Sequence, residues 1–343
     1  MKHHIGLDAG SISVKYAVLD GDGNIQETKY VRHKGNPLPV AYDLLKQMPS
    51  GLSLSVTGSA GKLIASAFGM KPVNEVVALS CSTKKLYPHV RTVIEMGGED
   101  SKLIIIDEGM VKEFSMNSVC AAGTGSFLDQ QAERLRLSIE EFGQMALKSE
   151  RPPRIAGRCS VFAKSDMIHL QQIATPVEDI VAGLCFAVAR NFKGSICKNM
   201  KLPVPISFQG GVAANSGVKR AFTEVFSVDE LIIPEHFAIM TAIGAAIKDM
   251  EQGAVSHFEI NRLGEFISSL KDEGAGHKAL CGDKGEFHKR HTVSYYIHKP
   301  ETTERVNAYL GIDIGSISTN LAVIDEEKRL LAKRYLMTAG RPI

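Results

Sequence analysis

One strand–turn–strand signature occurs twice in this chain of 343 residues, and it limits the available folds more than any other feature. HIGLDAGSISVKYAVLD at 4–20 returns as LGIDIGSISTNLAVID at 310–325. Gly6, Asp8, Gly10, Ser11, Ile12, Ser13, Ala17, Val18 and Asp20 each reappear 305 positions later. Alternating apolar residues on either side of a Gly-Ser turn read as a β-hairpin, and its recurrence marks the start of a second copy of one unit. That copy reaches only Ile343, about one hairpin, which is too little to bury a core. The tail is therefore expected to be poorly ordered or paired with something outside the chain, and the chain reads as the N-terminal piece of a longer tandem protein.

The first copy occupies about 1–250 and alternates strand and helix patterns, the mark of an α/β fold. Strands are expected at SLSVTG (53–58), in a hairpin over 92–107 with glycines at its bend, and at VPISFQGG (204–211). After Cys120, residues Phe127, Leu128, Gln131, Ala132 and Leu135 fall at helical spacing. Thr175-Pro176-Val177-Glu178 reads as a capping box opening a helix whose apolar face is Ile180, Val181, Leu184, Cys185, Val188 and Phe192. A further strand and helix follow over 230–250. Residues 251–307 lose the pattern and read as a linker with some local helix, ahead of the truncated second copy at 308–343.

A formal charge of +2 gives no reason to expect nucleic acid or an acidic membrane surface as partner. No apolar run approaches the ~18 residues of a membrane helix, and Asp8 interrupts any signal-peptide pattern. The chain reads as cytoplasmic, so its six cysteines are core residues, metal ligands or redox groups rather than disulfides.

Three stretches share one design, a strand, an acidic or amide residue, and then small residues: Asp8-Ala9-Gly10-Ser11, Glu95-Met96-Gly97-Gly98-Glu99-Asp100 and Gln209-Gly210-Gly211-Val212-Ala213. Glycines let backbone N–H groups approach phosphate oxygens, and carboxylates hold Mg²⁺ or position an attacking water. Any one alone is a weak signal; the ordered set resembles the actin-like and sugar-kinase ATPase superfamily. The resemblance implies an actin-like fold, two RNase H-like subdomains around a nucleotide cleft that holds ATP or ADP with Mg²⁺. Subdomain I would span about 1–90 plus the helix at 236–250, and subdomain II about 91–235. By match to the superfamily motifs, Asp8 and Asp100 act through the metal or water, with Ser11, Ser13 and Lys15 near the phosphates. Gly210, Gly211 and Ala213 bound the adenosine site. Lys15 becomes Asn320 in the second copy, which leaves its role the least determined.

Such a cleft serves kinases, chaperones and filaments alike, so other residues must decide the function. Cys120 and Cys159 each precede a helical pattern, CAAGTGSFLDQ and CSVFAKSDMI. A helix N-terminus stabilises a thiolate and any anionic cluster bound to it. A 4Fe–4S cluster takes four thiolates and a structural zinc four ligands, whereas one chain offers two suitably placed cysteines. If both bind one centre, two subunits must contribute two each about a two-fold axis.

CAAGTG…FLD…A and C-x-VFA-x-S/T-D are similar to the ATP-dependent activators of 2-hydroxyacyl-CoA dehydratases and the activating subunits of benzoyl-CoA reductases, over nearly all of 4–250. This resemblance implies a homodimer bridged by one 4Fe–4S cluster on Cys120 and Cys159 of each subunit. ATP hydrolysis would then drive one low-potential electron, taken from a ferredoxin or flavodoxin, to a dehydratase or reductase. It places Glu99 with Asp8 and Asp100 in catalysis, and adds Gly10, Gly97, Gly98, Lys102, Gly123 and Gly125 to the nucleotide-binding set. Glu95 and Glu99 replace the Asp and Gln of the stand-alone activators' Asp-x-Gly-Gly-Gln-Asp, which together with the second copy points to the fused tandem members.

Two other classes stay open on the residues alone: a small-molecule kinase acting on a sugar or acid, and a nucleotide-switched binding module. Neither requires the paired cysteines. Cys185 and Cys197 read as core and Cys81 as structural. His277, Cys281, His288 and His291 form a loose set that could bind zinc, but their irregular spacing favours a solvated linker.

Overall fold

The structure is a computed structural model, and it describes residues 3–49, 51–117, 123–157, 159–198, 200–253, 257–272, 297–299, 305–315 and 318–337. Cys120 and the His277, Cys281, His288 and His291 set lie outside these described residues.

The repeated signature forms β1 (His4–Ala9) and β2 (Ser13–Leu19), paired antiparallel from His4 opposite Leu19 to Ala9 opposite Val14. Gly10 closes the turn by donating its N–H to the Ser13 carbonyl at 3.0 Å. β3 (Ile25–Arg32) extends the meander beside β2, and the chain then crosses through α1 (Pro37–Lys46) to β4 (Ser53–Thr57), which runs parallel to β1. The resulting order is β3-β2-β1-β4. α2 (Gly61–Ala67) and α3 (Glu75–Leu86) complete this unit, the latter capped by Asn74, which accepts from the Val76 N–H at 2.9 Å.

The next stretch repeats the plan without repeating the sequence. β5 (Thr92–Met96), β6 (Ser101–Asp107) and β7 (Met110–Asn117) make a second antiparallel meander. Four helices follow: α4 (Gly125–Leu135), α5 (Ile139–Ala146), α6 (Ser160–Gln172) and α7 (Val177–Phe192). β8 (Ile206–Gln209) then joins parallel to β5, giving the order β7-β6-β5-β8. Two units of identical strand order are the RNase H-like pair that the loops imply.

Helices α8 (Ser216–Phe226), α9 (Met240–Gln252) and α10 (Ile260–Asp272) finish the described part of this body. α3 and α9 lie between the two sheets. Val76, Leu79, Ala242 and Ile243 share one core with Ala17 and Leu19 of the first sheet and Val93, Ile104 and Ile106 of the second. α1, α2 and α10 cover the outer face of the first sheet, and α4–α8 the outer face of the second. α10 falls inside the stretch expected as linker; its Leu263 is fully buried in the first unit's core, beside Phe258 packed edge-to-face on Phe68 at 5.7 Å.

The helical periodicities hold to the residue. α4 buries Phe127, Leu128, Gln131, Ala132 and Leu135, and α7 buries its whole predicted face, including Cys185. The capping box at Thr175–Glu178 does not form: Pro176 itself occupies the N-cap of α7, with no side-chain cap bond. The span Val177–Cys197 is long and apolar enough to cross a membrane, contrary to the expectation that no run approaches that length. It is mostly buried within the protein, and its α7 part serves as the central core helix of the second unit.

The second copy forms β9 (Ala308–Ile314), β10 (Ser318–Asp325) and β11 (Leu330–Met337), a three-stranded meander in the order β11-β10-β9. It has one strand more than the hairpin expected. Its Leu310 and Ile312 are 60% and 56% exposed, where the equivalent Ile5 and Leu7 are fully buried.

Candidate functional site

The two meanders bring their glycine turns together at a cleft with a cavity of about 370 Å³. From the first turn, Asp8, Gly10, Ser11, Ile12, Ser13 and Lys15 line it. Gly97, Gly98, Asp100 and Lys102 line it from the second turn, and Gly125 from the start of α4. The turns touch: a side-chain carbon added at Gly98 would lie 2.1 Å from Cγ1 of Ile12. At Gly97 such a carbon would sit 2.7 Å from an Asp100 carboxylate oxygen and 3.5 Å from one of Glu95, so bare backbone is what keeps this turn open between two carboxylates.

Several predicted residues stand elsewhere. Glu99 is exposed and does not line the cavity. Of the three residues predicted from the third loop only Gly211 does, alongside Val212, Ala214 and Asn215. Ala213 is 6% exposed and packs into the second unit's core, while Gly210 takes φ 87° and lies against the Met96 carbonyl. Gly123 lies behind the cleft, where its carbonyl accepts from the Ser101 hydroxyl at 2.8 Å.

Strand register pairs each turn's carboxylate with a lysine directly across its hairpin. Asp8 opposes Lys15, which donates to it at 2.9 Å; Glu95 opposes Lys102, which donates at 3.1 Å. Glu95, not Asp100, is thus the positional equivalent of Asp8. In the second copy Asn320 replaces the lysine and donates to Asp313 at 3.2 Å. Lys102 also holds Asp100 at 2.7 Å and Glu75 at 2.8 Å. Glu75 comes from the first turn of α3, so this ion pair crosses from one unit to the other.

Four carboxylates therefore share two ammonium groups on the cleft floor. Burial by itself would lower Lys102, but Glu95, Asp100 and Glu75 outweigh it and hold the ammonium well above its usual range. Lys15 is likewise held up against burial, chiefly by Asp8. Burial pushes the Glu95 carboxyl up to about 7, with Lys102 and Lys15 pulling the other way and Asp100 adding to the rise. A floor with surplus carboxylate charge is chemically suited to a divalent cation.

The second turn is tied directly to α4. Gly125 N–H donates to the Gly97 carbonyl at 2.9 Å and Ser126 N–H to the Gly98 carbonyl at 2.8 Å. Asp129, one helical turn on, meets Arg32 of β3 from the opposite unit, and both line the cavity.

Sequence reasoning missed Tyr30, Arg32, Glu75, Asp129 and Asn215. Asn215 reads in sequence as an ordinary N-cap, and its Oδ1 does accept from the Val218 N–H at 3.0 Å. Its amide nitrogen is buried at the cleft wall with no hydrogen-bond partner, a donor left for a bound molecule. Glu75 likewise reads as a favourable first-turn acid, and nothing local signals its reach to Lys102.

Cys159 is the N-cap of α6, with extended φ −147° and ψ 132°, and is half-buried. No side chain caps the first-turn amides of that helix, which leaves them available to an anion. Val161 and Phe162 beside it are 66% and 65% exposed. Among the described residues no three His, Cys, Asp or Glu side chains converge as a metal site.

The sequence pattern of the BadF/BadG/BcrA/BcrD ATPase family matches residues 5–248. The 2-hydroxyisocaproyl-CoA dehydratase activator of Clostridioides difficile is 30% identical over 268 residues, covering 76% of this chain and 99% of the activator. Component A of the Acidaminococcus fermentans (R)-2-hydroxyglutaryl-CoA dehydratase superposes with a TM-score of 0.68 at 28% identity, over 74% of this chain and 99% of that one. The Clostridium difficile 2-hydroxyisocaproyl-CoA dehydratase activator with bound ADPNP gives a TM-score of 0.65 at 27% identity, over 80% of this chain and all of that one.

Proposed function

The chain belongs to the BadF/BadG/BcrA/BcrD ATPase family, and we propose that it is an ATP-driven activator of a 2-hydroxyacyl-CoA dehydratase or related reductase. The observation that carries this reading is the hydrogen-bonded link between the second glycine turn and the segment that follows Cys120. Gly97, Gly98 and Ser101 bond respectively to Gly125, Ser126 and Gly123. A change in what the turn holds is thereby communicated to the backbone beside a cysteine, a coupling that a kinase does not need.

In this reading the amides of Ser11, Ile12 and Gly98 face the phosphates of ATP, those of Gly10 and Gly97 being spent on closing their turns. Asp8 and Asp100 hold Mg²⁺, with Lys15 and Lys102 orienting those carboxylates. Glu95, equivalent to Asp8 and buried with its pKa raised to about 7, takes up and releases a proton around neutral pH and can exchange one with the attacking water. Gly211 and the unpartnered amide of Asn215 receive the nucleoside.

Cys120 and Cys159 of two subunits would hold the 4Fe–4S cluster, with the N-terminus of α6, capped by Cys159, offering its amides to the negative charge; the first amides of α4 are already bonded to the Gly97 and Gly98 carbonyls. When bound, the cluster supplies a one-electron carrier of low potential. The exposed Val161 and Phe162 flank Cys159, where apolar contact with the second subunit would keep water from the centre. Electron donor and acceptor are taken to be a ferredoxin or flavodoxin and the dehydratase.

Anaerobic reconstitution tests the reading. The protein should take up about four iron atoms per dimer with broad absorption near ~400 nm. Cys159→Ser should lose the iron while binding nucleotide as before. A colourless, iron-free dimer after reconstitution refutes it.

A further inference from the structure

Arg32 has no place in the expected nucleotide site, yet its position calls for a function. It stands on β3 directly opposite Ser13 of the first turn, and its guanidinium crosses the cleft to the Asp129 carboxylate on α4. The second copy provides an internal control. There the equivalent position, opposite Ser318, is Met337, and the same meander forms. An arginine is therefore not required to build this sheet.

The pair is only half sheltered, with the side chains 47% and 31% exposed, so it is weakly held and easily traded. A guanidinium fork matches a phosphate as well as it does a carboxylate, and a terminal phosphate carries more charge than Asp129. Asp129 sits one turn beyond Gly125, whose N–H is fixed to the second turn. Arg32 thus reaches from the first turn's strand to the helix anchored on the second turn, across the space where a third phosphate would enter.

We infer that Arg32 is the residue that distinguishes nucleoside triphosphate from diphosphate, giving up Asp129 for the terminal phosphate when ATP occupies the cleft. This rests on the reading of the cleft as a nucleotide site. Release of Asp129 frees α4 from the first unit, and loss of the phosphate lets the pair re-form. Asp129 acts as a competitor for Arg32 and not as a ligand of the nucleotide.

Equilibrium titration of the full chain with ADP and with the β,γ-imido triphosphate tests this, because the two partners must act with opposite sign. Arg32→Gln should weaken the triphosphate about tenfold, the scale of one charge-assisted hydrogen bond, and leave ADP within about twofold. Asp129→Asn should tighten the triphosphate several-fold, again with ADP little changed. Arg32→Lys, which keeps the charge but not the fork, should fall between wild type and Arg32→Gln.

Parallel weakening of both nucleotides in Arg32→Gln, or a triphosphate weakened by Asp129→Asn, overturns the inference in favour of a static strut. An unchanged triphosphate-to-diphosphate ratio in both variants overturns it too, while leaving the nucleotide cleft intact. Failure of the wild-type chain to bind either nucleotide removes both readings. Should Arg32→Gln not fold, the sign of the Asp129→Asn effect still decides.

Discussion

Gly6 and its repeat Gly311 offer one experiment performed twice in the same molecule. Gly6 lies in the middle of β1, where a glycine weakens a strand unless something must come close. The backbone of α9 does come close. A carbon added at Gly6 would stand 1.9 Å from the Ala242 carbonyl oxygen and 2.6 Å from the Ala246 nitrogen. Against an ordinary contact of 3.4 Å the helix would have to retreat by about 1.5 Å, since backbone cannot swing aside as a side chain can. Overpacking of this kind costs on the order of 1–3 kcal/mol, and a contact with backbone belongs at the upper end. At roughly 2–4 °C per kcal/mol for a body of this size, Gly6→Ala should lower Tm by about 5–10 °C. It should also weaken nucleotide binding, because α9 carries Thr241 into the cleft wall. Around Gly311 the nearest atom to such a carbon is the Ala322 carbonyl oxygen at 3.8 Å, an ordinary contact. Gly311→Ala should accordingly change stability by less than about 0.5 kcal/mol. Thermal and urea melts of the two single variants decide the matter. A Gly6→Ala protein as stable as wild type, or a Gly311→Ala protein equally damaged, refutes the packing argument.

The lysine–carboxylate floor of the cleft makes two more predictions. Between its ordinary value of 4.5 and about 7, native Glu95 keeps a proton that the unfolded chain has released. Its stabilising contribution is therefore complete below the lower value and lost as pH rises toward the upper, so Glu95→Gln should flatten that part of a plot of urea midpoint against pH; an unchanged slope would contradict the raised pKa. Lys102→Met strands Glu75, Glu95 and Asp100 without their common cation, which should cost roughly 3–5 kcal/mol. The loss should be greater at pH 8 than at pH 5, where protonation relieves Glu95, and melts showing the reverse order would argue against the network.

What could be read in advance was whatever leaves a period or a punctuation mark in the chain. The alternation through 4–20, the glycines at the turns and the helical spacing after Cys120 each rest on neighbours within a few residues, and the structure realises all of them. Contacts made by the fold leave no such trace. Glu75 satisfies the first turn of its own helix, and Asn215 caps its own, so each has a complete local explanation before its cleft-facing role is considered. Thr175–Glu178 shows the converse: a good local pattern yields when Pro176, with φ −51° and ψ 138°, takes the N-cap position itself. The pairing of Asp8 with Glu95 is the most instructive case. By composition Asp100 looks like the partner of Asp8, because both are aspartates two residues from a glycine. Only the hairpin register, with Lys15 and Lys102 as matching rungs, identifies which carboxylate the second unit places at the first unit's position. A duplicated unit conserves where the chain turns before it conserves which acid stands at the turn. Equivalence inside such a protein must therefore be judged by strand partners, and by that measure Glu95 is the residue to test as the second unit's counterpart of Asp8.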